Sequence, residues 1–327
     1  MSVKEMADAI RSFPGVTRKR KIRDVVDLLP TAGFPHVFAA EGEDAAALDV
    51  GDQYILFAAD GIMQSLMESD PYMAGYFSVL VNVNDIAAMG GRPLGMVDVM
   101  SLGGGGDSSG IIRGIQEGIR KFAVPVVGGH THPDCDYDAI DMSIVGIVRK
   151  DAILLSSTAV AGDDIVFVID TVGWYPDNIP YAYVTTMDKT DEIVRAQMEA
   201  VAIVGERHLA HACKDMSNPG HIGTLGMMLE SSARGGTVDI RSIPIPEGVD
   251  PIRWAFTYQG CGFVFACPHE NSAEIISIFA GCGCEGAIVG KVDASRVLRI
   301  TDGDETAVVF DFREDIITGC VVGRPLE

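Results

Sequence analysis

Four aspartates stand where an apolar segment meets a turn or a polar interruption, and their type and position suit chemistry at phosphate groups. Asp44 lies in Gly-Glu-Asp-Ala-Ala, and Asp60 follows the apolar run Tyr-Ile-Leu-Phe-Ala-Ala. Asp85 interrupts an otherwise apolar helical pattern, and Asp215 precedes Met-Ser-Asn-Pro-Gly. Mg²⁺ prefers oxygen ligands and is commonly shared between carboxylates and substrate phosphates. We therefore expect these four aspartates to bind magnesium that bridges to a phosphate.

Each aspartate taken alone also has a structural explanation. Asp44 and Asp60 suit turns, and Asp215 suits the turn that precedes the next helix. Asp85 is harder to explain in this way, because a buried carboxylate without a partner is costly. Its neighbour Asn84 is also polar within the same apolar segment. We therefore expect Asn84 to contact a bound nucleotide beside Asp85.

The common phosphate-binding motifs are missing. The stretch Gly286–Lys291 is one residue short of a GxxxxGK[ST] loop, and Gly103–Gly110 does not satisfy GxGxxG. A Gly-x-Ser-x-Gly elbow is also missing. These absences favour phosphate binding through metal ions. The glycine run at 103–106 is expected to become ordered when a nucleotide binds, since glycine loses much conformational freedom on ordering.

One basic segment stands out in a strongly acidic chain. Lys and Arg number 25 against 46 Asp and Glu, for a formal charge of −21, yet Arg18–Lys21 is basic throughout. This balance argues against a broad nucleic-acid surface. The segment is either a solvated face or a donor set for a bound phosphate. On the second interpretation, we expect Lys19 and Lys21 to act catalytically on the transferred group.

Length and composition predict a two-domain protein of the cytoplasm. The sequence has 327 residues and is 47% hydrophobic, and chains of this size usually form about two domains. No apolar run approaches the roughly 20 residues of a membrane span, and the charged N-terminal segment does not resemble a signal peptide. The cysteines are expected to be reduced core thiols. Cys282-Gly-Cys284 and the loop 130–136 remain as weaker metal-site alternatives.

Hydrophobic periodicity predicts alternating helices and strands in both halves of the chain. This order favours two α+β lobes over one doubly wound sheet, divided as residues 1–155 for nucleotide binding and dimerisation and residues 156–327 for the second domain. The predicted helices span residues 4–13, 21–29, 73–89, 108–122, 190–211, 220–233 and 270–280. The predicted strands span residues 53–59, 94–102, 124–127, 139–148, 164–170, 236–240, 254–259, 261–267, 286–292 and 296–300.

Six segments in a fixed order carry a family resemblance: GEDAA at 42–46, AADG at 58–61, VNDIAAMGGRPLG at 83–95, VVGGHT at 126–131, GDDIVFVIDTVG at 162–173 and KDMSNPGHIGTL at 214–225. The chain resembles the superfamily of aminoimidazole ribonucleotide synthetase, thiamine monophosphate kinase, selenophosphate synthetase and the hydrogenase-maturation protein that dehydrates a carbamoylated cysteine. Within it, the chain looks most similar to the methanogenesis marker protein 2 type.

The resemblance implies a two-lobe fold, a homodimer that pairs the N-terminal sheets, and ATP in a cleft near the dimer interface. It also implies Mg²⁺ as cofactor and transfer of the γ-phosphoryl group to a small-molecule acceptor. No membrane or nucleic-acid partner is implied. The matching residues are Asp44, Asp60, Asp85 and Asp215 as metal ligands, with Gly129, His130, Ser217 and Asn218 at the nucleotide.

The sequence departs from the superfamily at several functional positions. His130 and Asn218 stand where the kinase has aspartates, which implies fewer bound metals. The first cysteine is Cys135, so the N-terminal reactive residue of selenophosphate synthetase has no counterpart. The lost carboxylates leave open a non-catalytic nucleotide-binding subunit. A metal chaperone that uses Cys282, Cys284 and the histidine loop is the remaining alternative.

Overall fold

The computed structural model describes residues 2–29, 31, 33–103, 107–258, 260 and 262–321. Within these residues the chain forms two mixed β-sheets of six and seven strands, each packed against helices. The predicted α+β two-lobe fold is confirmed. The glycine run expected to order on nucleotide binding falls mainly at 104–106, outside the described residues.

The first sheet has the strand order β1-β2-β3-β6-β4-β5 and pairs antiparallel except for β4 with β5. Helices α4 (Gln64–Ser69), α5 (Pro71–Ala88) and α6 (Ser108–Phe122) belong to this lobe. The strands are β1 (Val37–Ala39), β2 (Ala46–Asp49), β3 (Gln53–Gly61), β4 (Arg92–Leu102), β5 (Val126–His132) and β6 (Asp138–Arg149).

Helix α5 is the buried centre of the first lobe. It begins at an Asp70 cap, whose carboxylate accepts the backbone N–H of Met73 at 2.9 Å, and Pro71 fixes its first turn. It ends before Gly90, which has a φ of +71° that favours glycine. A Cβ atom on Gly114 of α6 would lie 1.9 Å from the Tyr72 carbonyl oxygen. This close approach fixes the position of α5, which carries Asn84 and Asp85.

The second sheet has the strand order β13-β12-β9-β11-β7-β10-β8, and β9 and β12 are its parallel pair. Strands β7 and β10 are buried along their whole length, as expected for central strands. The strands are β7 (Asp164–Ile169), β8 (Ala212–Asp215), β9 (Gly235–Asp239), β10 (Gly262–Cys267), β11 (Glu285–Asp293), β12 (Val297–Thr301) and β13 (Thr306–Asp311); the helices are α7 (Asp191–Glu206), α8 (Gly220–Ser231), α9 (Pro251–Ala255) and α10 (His269–Ala280).

In the second half, one predicted element was wrong and one predicted helix ends earlier than expected. Residues 254–259 were expected to form a strand, but Pro251–Ala255 is a helix because the Asp250 carboxylate accepts two backbone N–H groups at its start. Helix α7 ends at Glu206, before the predicted residue 211, because the chain turns through a left-handed His208 toward β8. Strands β1, β2 and β13, helix α4 and the short helix Pro14–Thr17 were not predicted.

The N-terminal helices α1 (Val3–Ser12) and α2 (Pro14–Thr17) pack on the second lobe. The Arg11 guanidinium donates to the carbonyl oxygens of Val308 and Val309, each at 2.8 Å, and so joins α1 to β13. The division at residues 155 and 156 stays a prediction, but in space the first helix belongs to the second sheet. No helix within the described residues is both long and apolar enough to cross a membrane.

Candidate functional site

A cavity of about 530 Å³ opens between the two lobes. Its polar lining combines acidic and basic side chains from five segments of the chain, and its apolar wall includes residues of α4, α5 and the segment before α7. The charged lining residues are Arg18, Lys19, Glu43, Asp44, Asp60, Asp85, Lys214 and Asp215. All four predicted aspartates therefore line one cavity.

Three of these aspartates form a compact cluster. Asp44 lies in the turn before β2, Asp85 on α5 and Asp215 at the end of β8. One carboxylate oxygen from each lies within 4.8 Å of the others. Mg²⁺ binds oxygen at about 2.0–2.1 Å, so neighbouring ligand oxygens around one ion stand roughly 3–4 Å apart. The cluster fits a divalent cation after a small contraction, and Asp60 adds a fourth carboxylate at the open side of the cavity.

The protein environment favours the protonated forms of Asp60, Asp85 and Asp215. Burial raises the pKa of Asp85 well above its usual range, and the charges of Asp60 and Asp215 raise it further. Burial and Asp44 together raise the pKa of Asp215 to about 7. The pKa of Asp60 is also raised by desolvation, with the charge of Lys19 opposing this effect. A bound cation would oppose these shifts by stabilising the ionised carboxylates.

Sequence reasoning missed Lys214. This residue lies on β8 and is only 6% exposed, and its ammonium group forms an ion pair with the Asp44 carboxylate. Burial opposes the charge, but Asp44 and Asp215 outweigh it and raise the pKa of Lys214 above its usual range. The available signal was a lysine immediately before Asp215 in a strand whose other residues are buried.

The basic segment reaches the cavity with only part of its length. Arg18 and Lys19 begin a 3₁₀ turn and line the cavity, and the Arg18 guanidinium lies 3.6 Å from the Met63 sulfur. Lys21 begins α3 (Lys21–Val26), is exposed and is not among the lining residues. Gly15 permits this course, because a Cβ atom there would lie 2.0 Å from the Asn218 carbonyl oxygen.

The predicted nucleotide contacts divide into two groups. Asn84, Ser217 and Asn218 line the cavity. The Asn84 amide donates to the Gly260 carbonyl at 3.0 Å, while the side-chain carbonyl oxygens of Asn84 and Asn218 have no hydrogen-bond partner. An unpartnered buried acceptor is uncommon in a folded protein, so these two oxygens are unusual features of the cavity wall.

Gly129 and His130 do not reach the cavity within one chain. They lie on the edge strand β5 and are exposed. The register runs from Asp60 through Met142 and Asp98 to Gly129, which is three strand spacings. At about 4.8 Å a step, this separation amounts to roughly 14 Å. Contact of Gly129 and His130 with the phosphates of a bound nucleotide stays a prediction, because within one chain these residues lie too far from the cavity.

Comparison with known proteins identifies the family. The model for the N-terminal domain of AIR synthase related proteins matches residues 42–148, and that for the C-terminal domain matches residues 184–303. An uncharacterized protein of Methanocaldococcus jannaschii is 46% identical over 324 residues, covering 98% of this chain and 100% of the relative. The chain belongs to the AIR synthase-related family.

More distant relatives share the fold of this AIR synthase-related chain. Subunit PurL of phosphoribosylformylglycinamidine synthase from Methanopyrus kandleri is 26% identical, covering 88% of this chain and 42% of the relative. The structure of T. maritima PurL complexed with ATP superposes with a TM-score of 0.70 at 18% identity, covering 83% of this chain and 46% of that one. This chain therefore spans about half the length of that PurL structure.

A shorter protein superposes over most of its own length. AaThiL complexed with AMPPCP and TMP gives a TM-score of 0.63 at 17% identity, covering 82% of this chain and 91% of that one. At such low identity, these two structures establish the fold of the AIR synthase-related chain and nothing more.

Neither Cys282-Gly-Cys284 nor the loop 130–136 forms a group of three or more metal-ligating side chains among the described residues of this AIR synthase-related chain. The acidic trio is the only group of three or more metal-ligating side chains in that part of the structure. Cys282 and Cys284 are buried, and the Cys282 thiol donates to the Phe279 carbonyl at 3.2 Å. The Cys135 thiol donates to the His132 carbonyl at 3.3 Å. These contacts explain the thiols as structural groups.

Proposed function

We propose that this protein is a magnesium-dependent, ATP-using phosphoryl transferase that acts on a small-molecule acceptor in the cavity between its lobes. The observation that carries the proposal is the convergence of Asp44, Asp60, Asp85 and Asp215 from both lobes on one cavity. Such a carboxylate set suits Mg²⁺ shared with phosphates. The binding of ATP by PurL and of AMPPCP with TMP by AaThiL supports the same ligand class here.

The side chains would divide the work by charge. Bound magnesium would neutralise the phosphates and the charge that develops during transfer. Asp44, Asp85 and Asp215 would hold it, since their oxygens lie within 4.8 Å of one another. Lys19 lines the same cavity, and its charge opposes the rise that desolvation causes in the pKa of Asp60. A cation at that position can stabilise the transferred group as its negative charge spreads over the equatorial oxygens.

The apolar wall would receive the acceptor and exclude water. Leu66, Phe77, Ile179 and Tyr258 line the cavity beside the charged cluster. An apolar wall strengthens electrostatic interactions at the reacting group and limits hydrolysis of ATP. The unpartnered Asn84 carbonyl oxygen in the same cavity favours a ligand with an N–H or O–H donor.

A non-catalytic nucleotide-binding subunit is the second candidate. The observation that favours it is Asn218, which lines the cavity at a position where the kinase has an aspartate, so the site has one carboxylate fewer for binding metal. Calorimetry with AMPPCP, with and without Mg²⁺, tests what both candidates share. ADP release on incubation with Mg·ATP and candidate acceptors separates them. No magnesium-dependent AMPPCP binding would refute both, and binding without ADP release for any acceptor would favour the subunit.

We also propose that the protein is a homodimer that covers the open face of the first sheet. Phe57, Val97 and Val99 are 47%, 44% and 43% exposed, and the strand register places them on one face of β3 and β4. Val127 on the neighbouring β5 is 71% exposed. An apolar sheet face of this kind is typical of a surface that a second copy covers.

A further inference from the structure

Lys214 occupies a place that is costly for a lysine. Its side chain is 7% exposed and that of its partner Asp44 is 4% exposed. A buried ammonium group is tolerated only when a charge compensates it. Here the compensation comes from the aspartate cluster, because Asp44 contacts the ammonium group directly and Asp215 adds a favourable charge.

The second lobe contacts Asp44 at two points. The Lys214 ammonium group binds one carboxylate oxygen, and the backbone N–H of Asp215 donates to the other at 3.4 Å. Strand β8 fixes both groups, since Lys214 and Asp215 pair in register with Val264 and Phe263 of β10. A positive charge from the protein's own chain therefore stands against a carboxylate of the candidate metal cluster.

A second buried aspartate pairs with cations that are exposed, unlike Lys214. Asp164 also accepts from a lysine, Lys291, at 2.7 Å, and from His269 at 2.7 Å. There the side chains of Lys291 and His269 are 64% and 75% exposed, so water solvates both groups. The ammonium group of Lys214 lies inside the cavity wall, where the aspartates are its compensating partners.

We propose that Lys214 is a tethered cation that excludes free divalent metal from the aspartate cluster, so that metal enters only together with the nucleotide. This inference rests on the proposed function. In the nucleotide-free protein, the ammonium group occupies Asp44 and repels an incoming Mg²⁺. The phosphates of an arriving nucleotide supply negative charge, so the ammonium group exchanges Asp44 for a phosphate oxygen. Asp44 then becomes available to the metal that the nucleotide carries.

This arrangement has a consequence for binding order. Three carboxylates with oxygens within 4.8 Å would attract a free divalent ion if no cation were already present. A filled metal site would then meet a nucleotide that already carries its own metal. With Lys214 in place, the cluster is matched to the metal–nucleotide complex, which brings both the metal and the phosphates that release Asp44.

The test is Mn²⁺ binding to the nucleotide-free protein, measured by electron paramagnetic resonance. We expect Lys214→Met, which keeps the length but removes the charge, to bind free Mn²⁺ at least about tenfold more tightly than wild type, or 1.4 kcal/mol. Lys214→Arg keeps the charge and is expected to bind free Mn²⁺ as weakly as wild type. Equal Mn²⁺ affinity in wild type and Lys214→Met would overturn the proposal.

A second test uses the wild-type protein alone. Adding AMPPCP should increase the affinity of the wild-type protein for Mn²⁺. Equal Mn²⁺ affinity with and without the nucleotide would overturn the proposal, and this test holds even if Lys214→Met does not fold. If wild type does not bind Mn²⁺ even in the presence of AMPPCP, the proposed function is wrong. The proposal that metal enters together with the nucleotide is then wrong as well. Equal free-metal binding by wild type and Lys214→Met refutes the role of Lys214 alone.

Discussion

Asp85→Asn separates a metal-binding role from a structural one. Burial raises the pKa of Asp85, so the metal-free protein favours the neutral form of this carboxyl group. Asparagine matches the protonated carboxyl group in shape and charge, so the fold should be retained. A metal requires the ionised group, which asparagine cannot supply. We therefore expect stability and metal–nucleotide affinity to respond differently to this one change.

The expected loss of affinity follows from the geometry of the cluster. Asp85 provides one of three carboxylates whose oxygens lie within 4.8 Å of one another. Two unit charges 4 Å apart interact by roughly 4 kcal/mol at an effective dielectric constant of 20, and a divalent ion doubles this value. Two effects offset much of this lost attraction: Asp85 must be deprotonated before it can bind metal, and the asparagine amide oxygen can still act as a weaker ligand. The expected net loss is about 3 kcal/mol, or at least about 100-fold in Kd.

The assay is calorimetric titration of AMPPCP in the presence of Mg²⁺, with thermal melting by circular dichroism as a check of the fold. Asp304→Asn is the matched control, because it makes the same chemical change at an exposed position in the turn between β12 and β13. Asp304→Asn should bind AMPPCP as wild type does. If folded Asp85→Asn also keeps wild-type affinity, Asp85 does not bind the metal and the interpretation of the cluster is wrong.

Four further predictions follow from the contacts described above. Folding raises the pKa of Asp215 from 3.8 to about 7, so the folded state binds this proton more tightly than the unfolded state. The contribution of Asp215 to the free energy of unfolding in EDTA should therefore be greatest below pH 4 and should fall as the pH rises through 7. Melting curves at pH 5.5 and 8 measure this change, and Mg²⁺ with AMPPCP should reduce the loss of stability at pH 8. Lys19→Ala should lower turnover about tenfold or more with a smaller change in ATP affinity, whereas Lys21→Ala, outside the cavity, should behave as wild type in the same steady-state assay. Gly114→Ala should destabilise the first lobe by about 1–3 kcal/mol, because the new methyl group meets the Tyr72 carbonyl; an unchanged urea midpoint would contradict the packing of α5. Val97→Asp on the exposed sheet face should convert a dimer to a monomer in light scattering, and a wild-type monomer at all concentrations would refute the dimer.

The sequence was informative where a local pattern determines the outcome. The apolar runs around Asp60 and Asp85 predicted β3 and α5, and the four aspartates line a common cavity as expected. The strand predicted at 254–259 failed because Trp, Phe, Thr and Tyr suit strands, while the Asp250 cap and Pro251 begin a helix. Local capping outweighed residue preference at this point.

Other features depend on contacts between distant residues. Lys214 and Asp44 are 170 residues apart in sequence, so nothing near either residue predicts their ion pair. Lys19 and Lys21 are separated by one residue, but the 3₁₀ turn directs only Lys19 into the cavity. Gly129 and His130 are kept from Asp60 by the strand order of the first sheet, which follows from pairing and not from the motif.

The contact between Arg11 and β13 has a consequence for synthesis on the ribosome. Arg18 and Lys19 emerge early, but α1, which leads into them, is held by the carbonyl oxygens of Val308 and Val309. Strand β13 follows all the other strands of the described residues in chain order. A nascent chain therefore exposes its acidic residues before the basic segment can take its final position beside them. Assembly of the charged cavity consequently waits for the synthesis of β13.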